Sequence, residues 1–228
     1  MPTAPTRAHL QRLRQLWRSA GWPAQDLVEI ELLNAGWVER LPEPGGRERL
    51  RVTDAGVALI AAALTRNRAA RDAHESLVER VATEMQRAGR IAWRGLTLRA
   101  GLPGEGKTLW VNAMPDVYSI RHSTVEDYLE PAIHEIKVSR ADLLGELRRP
   151  AKSAAYRALC SQCWFVIRAG IAEPDEIPAE FGVLIGHDTH LELARPAPRR
   201  AHKPDFGTWM ALARATPQAP PEDPQSTL

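Results

Sequence analysis

Apolar residues recur at helical spacing over residues 7–20, where Leu10, Leu13, Leu16 and Trp17 fall on one stripe. Gly21 and Pro23 close that helix. A second helix is predicted over 24–35, with Leu27, Ile30, Leu32 and Leu33. "GWVERL" and "RERLRV" then flank "PEPGG", which reads as a hairpin with its tip at Gly45-Gly46. Thr53 to Gly56 opens a third helix running through Leu64. The polar stretch 66–74 is expected to stay helical, because helical periodicity resumes at Leu77, Val78, Val81 and Met85 and ends at Gly89. From there short runs of strand formers alternate with turn residues. They are "RIAWRGLTLRA", "TLWVNAMPDVYSI", "PAIHEIKVS", "CWFVI", "EFGVLIG" and "LELAR", the last as an edge strand. Helices are predicted near 150–159 and over "FGTWMALARA". From Thr216 the chain has the composition of a disordered tail.

This order divides the chain into a helical and hairpin unit at 1–66, an α/β unit at 67–214 and a Pro-rich tail at 215–228. The fold class is α+β, with a central mixed sheet flanked by helices in the second unit. Helix, helix, strand, turn, strand, helix resembles a winged helix, and "LLNAGWVERL…RERLRVTDAG" is similar to the matching stretch of bacterial winged-helix regulators. That resemblance implies a wing on phosphate, for which Arg47, Arg49 and Arg51 are the residues available. The second helix carries Asp26, Glu29 and Glu31, which suits DNA poorly and leaves docking on a protein as the other reading.

Composition narrows function by exclusion. The chain has 228 residues, 44% of them hydrophobic and 25% charged, as in globular proteins. No apolar run is long enough to span a membrane, and residues 1–20 hold four arginines without a signal-type apolar core, so a cytoplasmic protein with no membrane partner is expected. A net charge of +2 cannot argue for nucleic acid, which would have to be met by local patches. Cys160 and Cys163 form C-x-x-C without a second pair to complete a zinc site, and they enter a strand instead of opening a helix, so they are read as buried structural cysteines.

Chemistry concentrates in two strands. Pro115-Asp116 lies in one and Glu135-Ile136-Lys137 in the next. Alternate strand residues point the same way, so Glu135 and Lys137 share a face and Ile136 turns to the core. If the strands are neighbours, Asp116 meets that pair. Two carboxylates can hold a hard divalent cation, and a lysine beside them can orient water or steady charge on phosphate. "GLPGEGKT" matches the Walker A pattern with Gly101, Gly106, Lys107 and Thr108. A phosphate loop must lead into a helix, whereas "LWVNA" is strand-like, so the stretch reads as a turn between antiparallel strands, with Lys107 left near any nucleic acid. His122 and His134 lie close to the acids in sequence and are taken as solvated or supporting.

The P-D…E-I-K arrangement resembles the PD-(D/E)XK nuclease superfamily. Residues 88–214 are similar to the MmcB family of bacterial DNA-repair endonucleases, through Glu135-Ile136-Lys137, Ala141-Asp142, Lys152…Tyr156, Cys160 and "RPAP" at Arg195 to Pro198. The stretch from Lys137 to Tyr156 is a few residues longer than the family pattern. The resemblance implies a restriction-endonuclease-like core and hydrolysis of DNA phosphodiester bonds with Mg²⁺ or Mn²⁺. Asp116, Glu135 and the Ile136 carbonyl would hold the metal, with Lys137 positioning water. It further implies a carboxylate from the preceding helix, Glu79 with Glu75 in reserve, and Lys152 and Tyr156 near the substrate. Arg140, just after the E-I-K strand, is read as reaching phosphate or pairing with an acid. Two alternatives stand beside it: a non-catalytic DNA-binding or regulatory protein, and a nuclease subunit active only with a partner. The sequence carries no sign of oligomeric state.

Overall fold

The computed structural model describes residues 4–19 and 21–219. The chain forms two compact units, Met1–Arg71 and Asp72–Leu228. The first is built from α1 (Arg7–Arg18), α2 (Leu27–Asn34), a hairpin of β1 (Val38–Glu43) and β2 (Arg47–Val52), and the opening turns of α3 (Asp54–Arg87). Thr6 caps α1 by accepting from His9 N, and Asp26 caps α2 by accepting from Glu29 N. Leu13, Leu16, Leu32, Val38, Leu50 and Val52 close its core. The acidic residues of α2 are structural. Glu29 is fully buried and its Oε2 accepts from Ala24 N and Gln25 N at 2.6 and 2.7 Å. Asp26 is gripped by Arg12, and Glu31 by His9.

The second unit contains a mixed six-stranded sheet in the order β10-β9-β8-β7-β6-β3. Its strands are β3 (Arg90–Arg94), β6 (Val117–Arg121), β7 (Ala132–Lys137), β8 (Gln162–Arg168), β9 (Gly182–Gly186) and β10 (Leu191–Arg195). β7, β8 and β9 run parallel, while β3, β6 and β10 pair antiparallel to their neighbours. A separate hairpin of β4 (Leu98–Pro103) and β5 (Thr108–Ala113) lies between β3 and β6 in the chain. Leu77, Val78, Val81 and Ala82 of α3 pack on Ala92, Val117, Ile136 and Val166 of one sheet face. The opposite face, with Tyr118, Ile133, Phe165, Ile167 and Val183, is covered by α4 (Arg140–Leu147), α5 (Pro150–Arg157), α6 (Phe206–Arg214) and the hairpin. Strand periodicity explains the sorting, since successive side chains of each strand alternate between the two helical layers.

Two predicted strands are interrupted. "RIAWRGLTLRA" breaks at Gly95, whose φ of 60° is a left-handed conformation that glycine adopts at little cost, and the chain leaves the sheet to start β4. "TLWVNAMPDVYSI" breaks at Met114-Pro115, where proline has no N–H to offer a ladder. The predicted turn at "GLPGEGKT" does join antiparallel strands, β4 and β5. Within the stretch expected to be a disordered tail, Gln218 N donates to Ala92 O and Gln86 Nε2 donates to Gln218 O, so its first residues are held; residues 220–228 lie outside the described residues. Among the described residues no helix is long and apolar enough to cross a membrane.

His134, Trp164 and Gly182 stand side by side on β7, β8 and β9. The imidazole stacks on the indole, with centroids 6.1 Å apart. A Cβ at Gly182 would lie 2.3 Å from Trp164 Cε3 and 2.7 Å from Ala197 Cβ. Gly182→Ala is therefore expected to lower stability by about 1–3 kcal/mol, from overpacking, and urea denaturation of the purified variant measures it.

Candidate active site

β6 and β7 stay paired from Ser119↔Ala132 to Val117↔His134 and then part. Just beyond that point the chain before β6 presents Asp116, whose Oδ2 accepts from Ile136 N at 2.7 Å. The carboxylate thus takes the place of a missing ladder partner. In a strand the N–H and C=O of one residue point to the same side, so the Ile136 carbonyl also faces the gap left by β6. Two further bonds hold this corner. Gly95 N donates to Asp116 O at 3.2 Å, and the Tyr156 hydroxyl donates to Met114 O at 2.9 Å, fixing the chain on either side of buried Pro115.

Glu135 and Lys137 share the β7 face opposite Ile136, as the period of two requires. Both are buried, and Lys137 Nζ lies 2.8 Å from Glu135 Oε1. Lys152 Nζ, from α5, meets the same oxygen at 2.8 Å and Glu146 Oε2 of α4 at 2.9 Å. Lys137 is also 3.7 Å from Glu146 and 3.5 Å from Asp142, which is more exposed. Ser139 starts α4 by accepting from Asp142 N, and Leu143 anchors the helix in the core, which turns Glu146 inward. The Lys152 ammonium also lies over the Tyr156 ring, 5.0 Å from its centroid.

The electrostatics leave the cluster short of positive charge. Burial, and next the charge of Asp116, push the Glu135 carboxyl above its ordinary value, and the two lysines only partly offset this. Burial works against both ammonium groups, yet their carboxylate neighbours outweigh it and hold Lys137 and Lys152 above the usual lysine value. The two sides of the ion pair thus both rise, because Glu135 bears the repulsion of Asp116 while each lysine meets more than one acid. Glu135 Oε2 is buried without a hydrogen-bond partner. A buried carboxylate oxygen left bare is costly and invites a cation. Among the described residues no three His, Cys, Asp or Glu side chains gather as a metal-binding group. The oxygens gathered at this corner that a hard cation could use are Glu135 Oε2, Asp116 and the Ile136 carbonyl.

Not all predicted residues come to this point. Glu79 is exposed on α3, and Glu75 reaches no nearer than His74, at 3.6 Å. It is His74 that meets Asp116, at 3.5 Å, and the hydrogen bond to Asp116 holds the imidazole above its ordinary value. His134 lies on the sheet face opposite Glu135, and burial drives its pKa down to about 3, so it is a neutral core residue; His122 is exposed. Arg140 is bound at both nitrogens by Glu176, at 2.9 and 2.7 Å, and is not a free phosphate ligand. Lys152 meets Glu135 and Glu146, while the Tyr156 hydroxyl is spent on Met114 O. Lys107 is exposed in the β4–β5 turn. On the first unit's hairpin, Arg51 pairs with Glu39 and Arg49 with Glu43, and Arg47 is exposed near the tip. Cys160 and Cys163 are free and buried. Sequence reasoning missed His74 and Glu146. For Glu146 a signal existed in its i, i+6 relation to Lys152 across the break between α4 and α5, but nothing in the sequence marked that break as a close approach.

Tyr156→Phe should cost about 1 kcal/mol of stability through the lost hydrogen bond to Met114, read from chemical denaturation. Glu176 titrates well below its usual range, at about 2, because Arg140 holds it and Glu173 N adds a second bond. Its contribution is present above the unfolded carboxyl pKa and is lost as pH falls through the lowered folded value. In Arg140→Gln the Glu176 midpoint should rise toward 4.5, followed by carbon-detected NMR of the side-chain carboxyl.

No family model and no curated protein matches this chain. Among solved structures it is similar to the SPO1766 protein of unknown function from Silicibacter pomeroyi, at 23% identity over 60% of this chain and 84% of that one, with a TM-score of 0.40.

Proposed function

We propose that the second unit is a metal-dependent nuclease of the PD-(D/E)XK type that hydrolyses DNA phosphodiester bonds. The observation that carries this reading is the convergence of Asp116, Glu135 and Lys137 where β6 and β7 part, with Glu135 Oε2 buried and unpartnered. The resemblance to the MmcB family adds DNA repair or processing as the setting, and a restriction-endonuclease-like core as the reading of the mixed sheet. Asp116, Glu135 and the Ile136 carbonyl would hold Mg²⁺ or Mn²⁺. Such an ion supplies Lewis-acid polarisation of the scissile phosphate and neutralises charge there.

The chain's own residues do the rest. Asp116 is pre-set by the Ile136 N–H, so its carboxylate needs no rearrangement. Lys137 stays protonated among its acids and aims Glu135 through Oε1, which leaves Oε2 free. Its ammonium can hold a water and offset charge that develops on phosphate. Lys152 and Glu146 keep Lys137 and Glu135 in place from the helical side. Tyr156 acts through Met114 as a positioning residue.

For the first unit we propose a winged-helix module that docks on protein in preference to DNA. Two of its three hairpin arginines pair with glutamates, while α2 leaves Leu27 and Ile30 70% and 56% exposed. A partner held there would make the nuclease a subunit of a complex, and Leu27→Asp with Ile30→Asp should abolish partner recovery without loss of fold.

The nuclease reading is tested on duplex, single-stranded, flap, mismatched and abasic DNA with Mg²⁺, Mn²⁺ or EDTA. Cleavage should need the metal and fall about 100-fold or more in Asp116→Ala and in Lys137→Ala. Wild-type protein that cuts nothing, yet binds DNA equally with and without metal, removes the catalytic assignment.

A further inference from the structure

We propose that a cationic cleft between α6 and the β3–β4 corner is a binding track for a single nucleic-acid strand, leading to Asp116. The cleft has a volume of about 690 Å³ and is lined by Arg94, Arg99, Asn112, Phe206, Met210 and Arg214, among others. No carboxylate lines it. The acid next to it in sequence, Asp205, is engaged in capping α6 through Thr208 N. Arg94, Arg99 and Arg214 form no ion pair with any described carboxylate, whereas Arg140, Arg51 and Arg49 all do. Three arginines left open around one depression are placed for phosphate, which guanidinium recognises in a forked geometry.

Aromatic surface accompanies the charge. Phe206 is 80% exposed at the first position of α6 and so has no place in the core. Trp110 is 50% exposed on the hairpin face that also carries Arg99 and Asn112, because Arg99↔Asn112 and Gly101↔Trp110 are neighbouring pairs of the ladder. Gly101 makes room for the indole: a Cβ there would come within 3.3 Å of its ring. The Arg99 guanidinium lies over that ring, 4.8 Å from its centroid. Exposed rings beside unpaired arginines are how strand-binding proteins take bases and phosphates together. In a duplex the bases are stacked inside, so Phe206 and Trp110 would have no π-face to meet.

The cleft is joined to the acids by backbone. Arg94 pairs with Val117, and Gly95, which lines the cleft, donates its N–H to Asp116 O. A strand lying over Arg214 and Arg99 would therefore reach the corner at Asp116. The direction of that track rests on the nuclease reading, but the strand binding does not.

The test is fluorescence anisotropy of a labelled oligothymidylate and of a duplex of equal length, both in EDTA so that nothing is cut. The single strand should bind about tenfold tighter than the duplex at equal salt. Arg94→Gln, Arg99→Gln and Arg214→Gln together should weaken it by tenfold or more and flatten its salt dependence. Phe206→Ala alone should cost on the order of tenfold, as should Trp110→Ala. All five side chains are at the surface, and circular dichroism verifies that the variants fold. A triple variant that binds like wild type overturns the proposal. So does a wild-type preference for duplex, or equal binding of polyglutamate, which would assign the cleft to an acidic protein. Strand binding by a protein that cleaves nothing upholds the cleft and removes only the nuclease reading, while metal-dependent cleavage with an inert cleft does the reverse.

Discussion

A glutamate and a lysine buried on the same face of one interior strand can exist there only together. Neither charge could be taken out of water alone, since an unpaired buried ion costs several kcal/mol. Glu135 and Lys137 answer each other, and the second unit is arranged so that the remainder is answered too. α4 brings Glu146 to both lysines, and α5 brings Lys152 to both glutamates. The break between these helices at Pro150 is therefore a condition for charge balance, with proline tolerated at the first helical position because no N–H is needed there. What is left unanswered is one oxygen of Glu135 and the repulsion between Glu135 and Asp116. That excess of negative charge falls where β6 and β7 part.

The same corner depends on the sheet being interrupted. Had β6 run on past Val117 as an unbroken strand, Ile136 N–H would meet a backbone carbonyl and Asp116 would have no reason to be there. Pro115 prevents this by breaking the ladder, and Gly95 prevents β3 from continuing alongside. The hairpin β4–β5 is the excursion that results. It covers the core with one face and leaves the other, with Arg99 and Trp110, to solvent. These two backbone breaks thus create both the acidic corner and the cationic surface beside it.

In the first unit, charge is used differently. Glu29 is buried to tie down the chain before α2, and Asp26 and Glu31 are held by Arg12 and His9. An acidic helix that looked like a surface unsuited to DNA is acidic for internal reasons. Its exposed side carries two apolar residues a turn apart, Leu27 and Ile30, beside Glu31 and Asn34.

By itself the sequence determined most of the local elements, though not the breaks at Gly95 and Met114-Pro115, and it placed Glu135 and Lys137 on one strand face. Periods of 3.6 and 2 are set by backbone geometry and need no knowledge of neighbours. It also determined that the Walker-like stretch is a turn, because "TLWVNA" cannot open a helix over phosphate. The tertiary structure alone decided which distant groups complete the site. His74 and Glu79 lie on one helix, yet only His74 faces Asp116, because α3 is rotated by the burial of Leu77, Val78 and Val81. Arg140, legible as a cation near the acids, is turned away by Glu176. Lys152, legible as a partner of the site, is drawn to Glu135 and Glu146 as their counter-ion. The reason is the same in each case. Charge satisfaction in a low-dielectric interior is a property of groups brought together from far along the chain, and sequence spacing does not encode where the packing of apolar faces will place them.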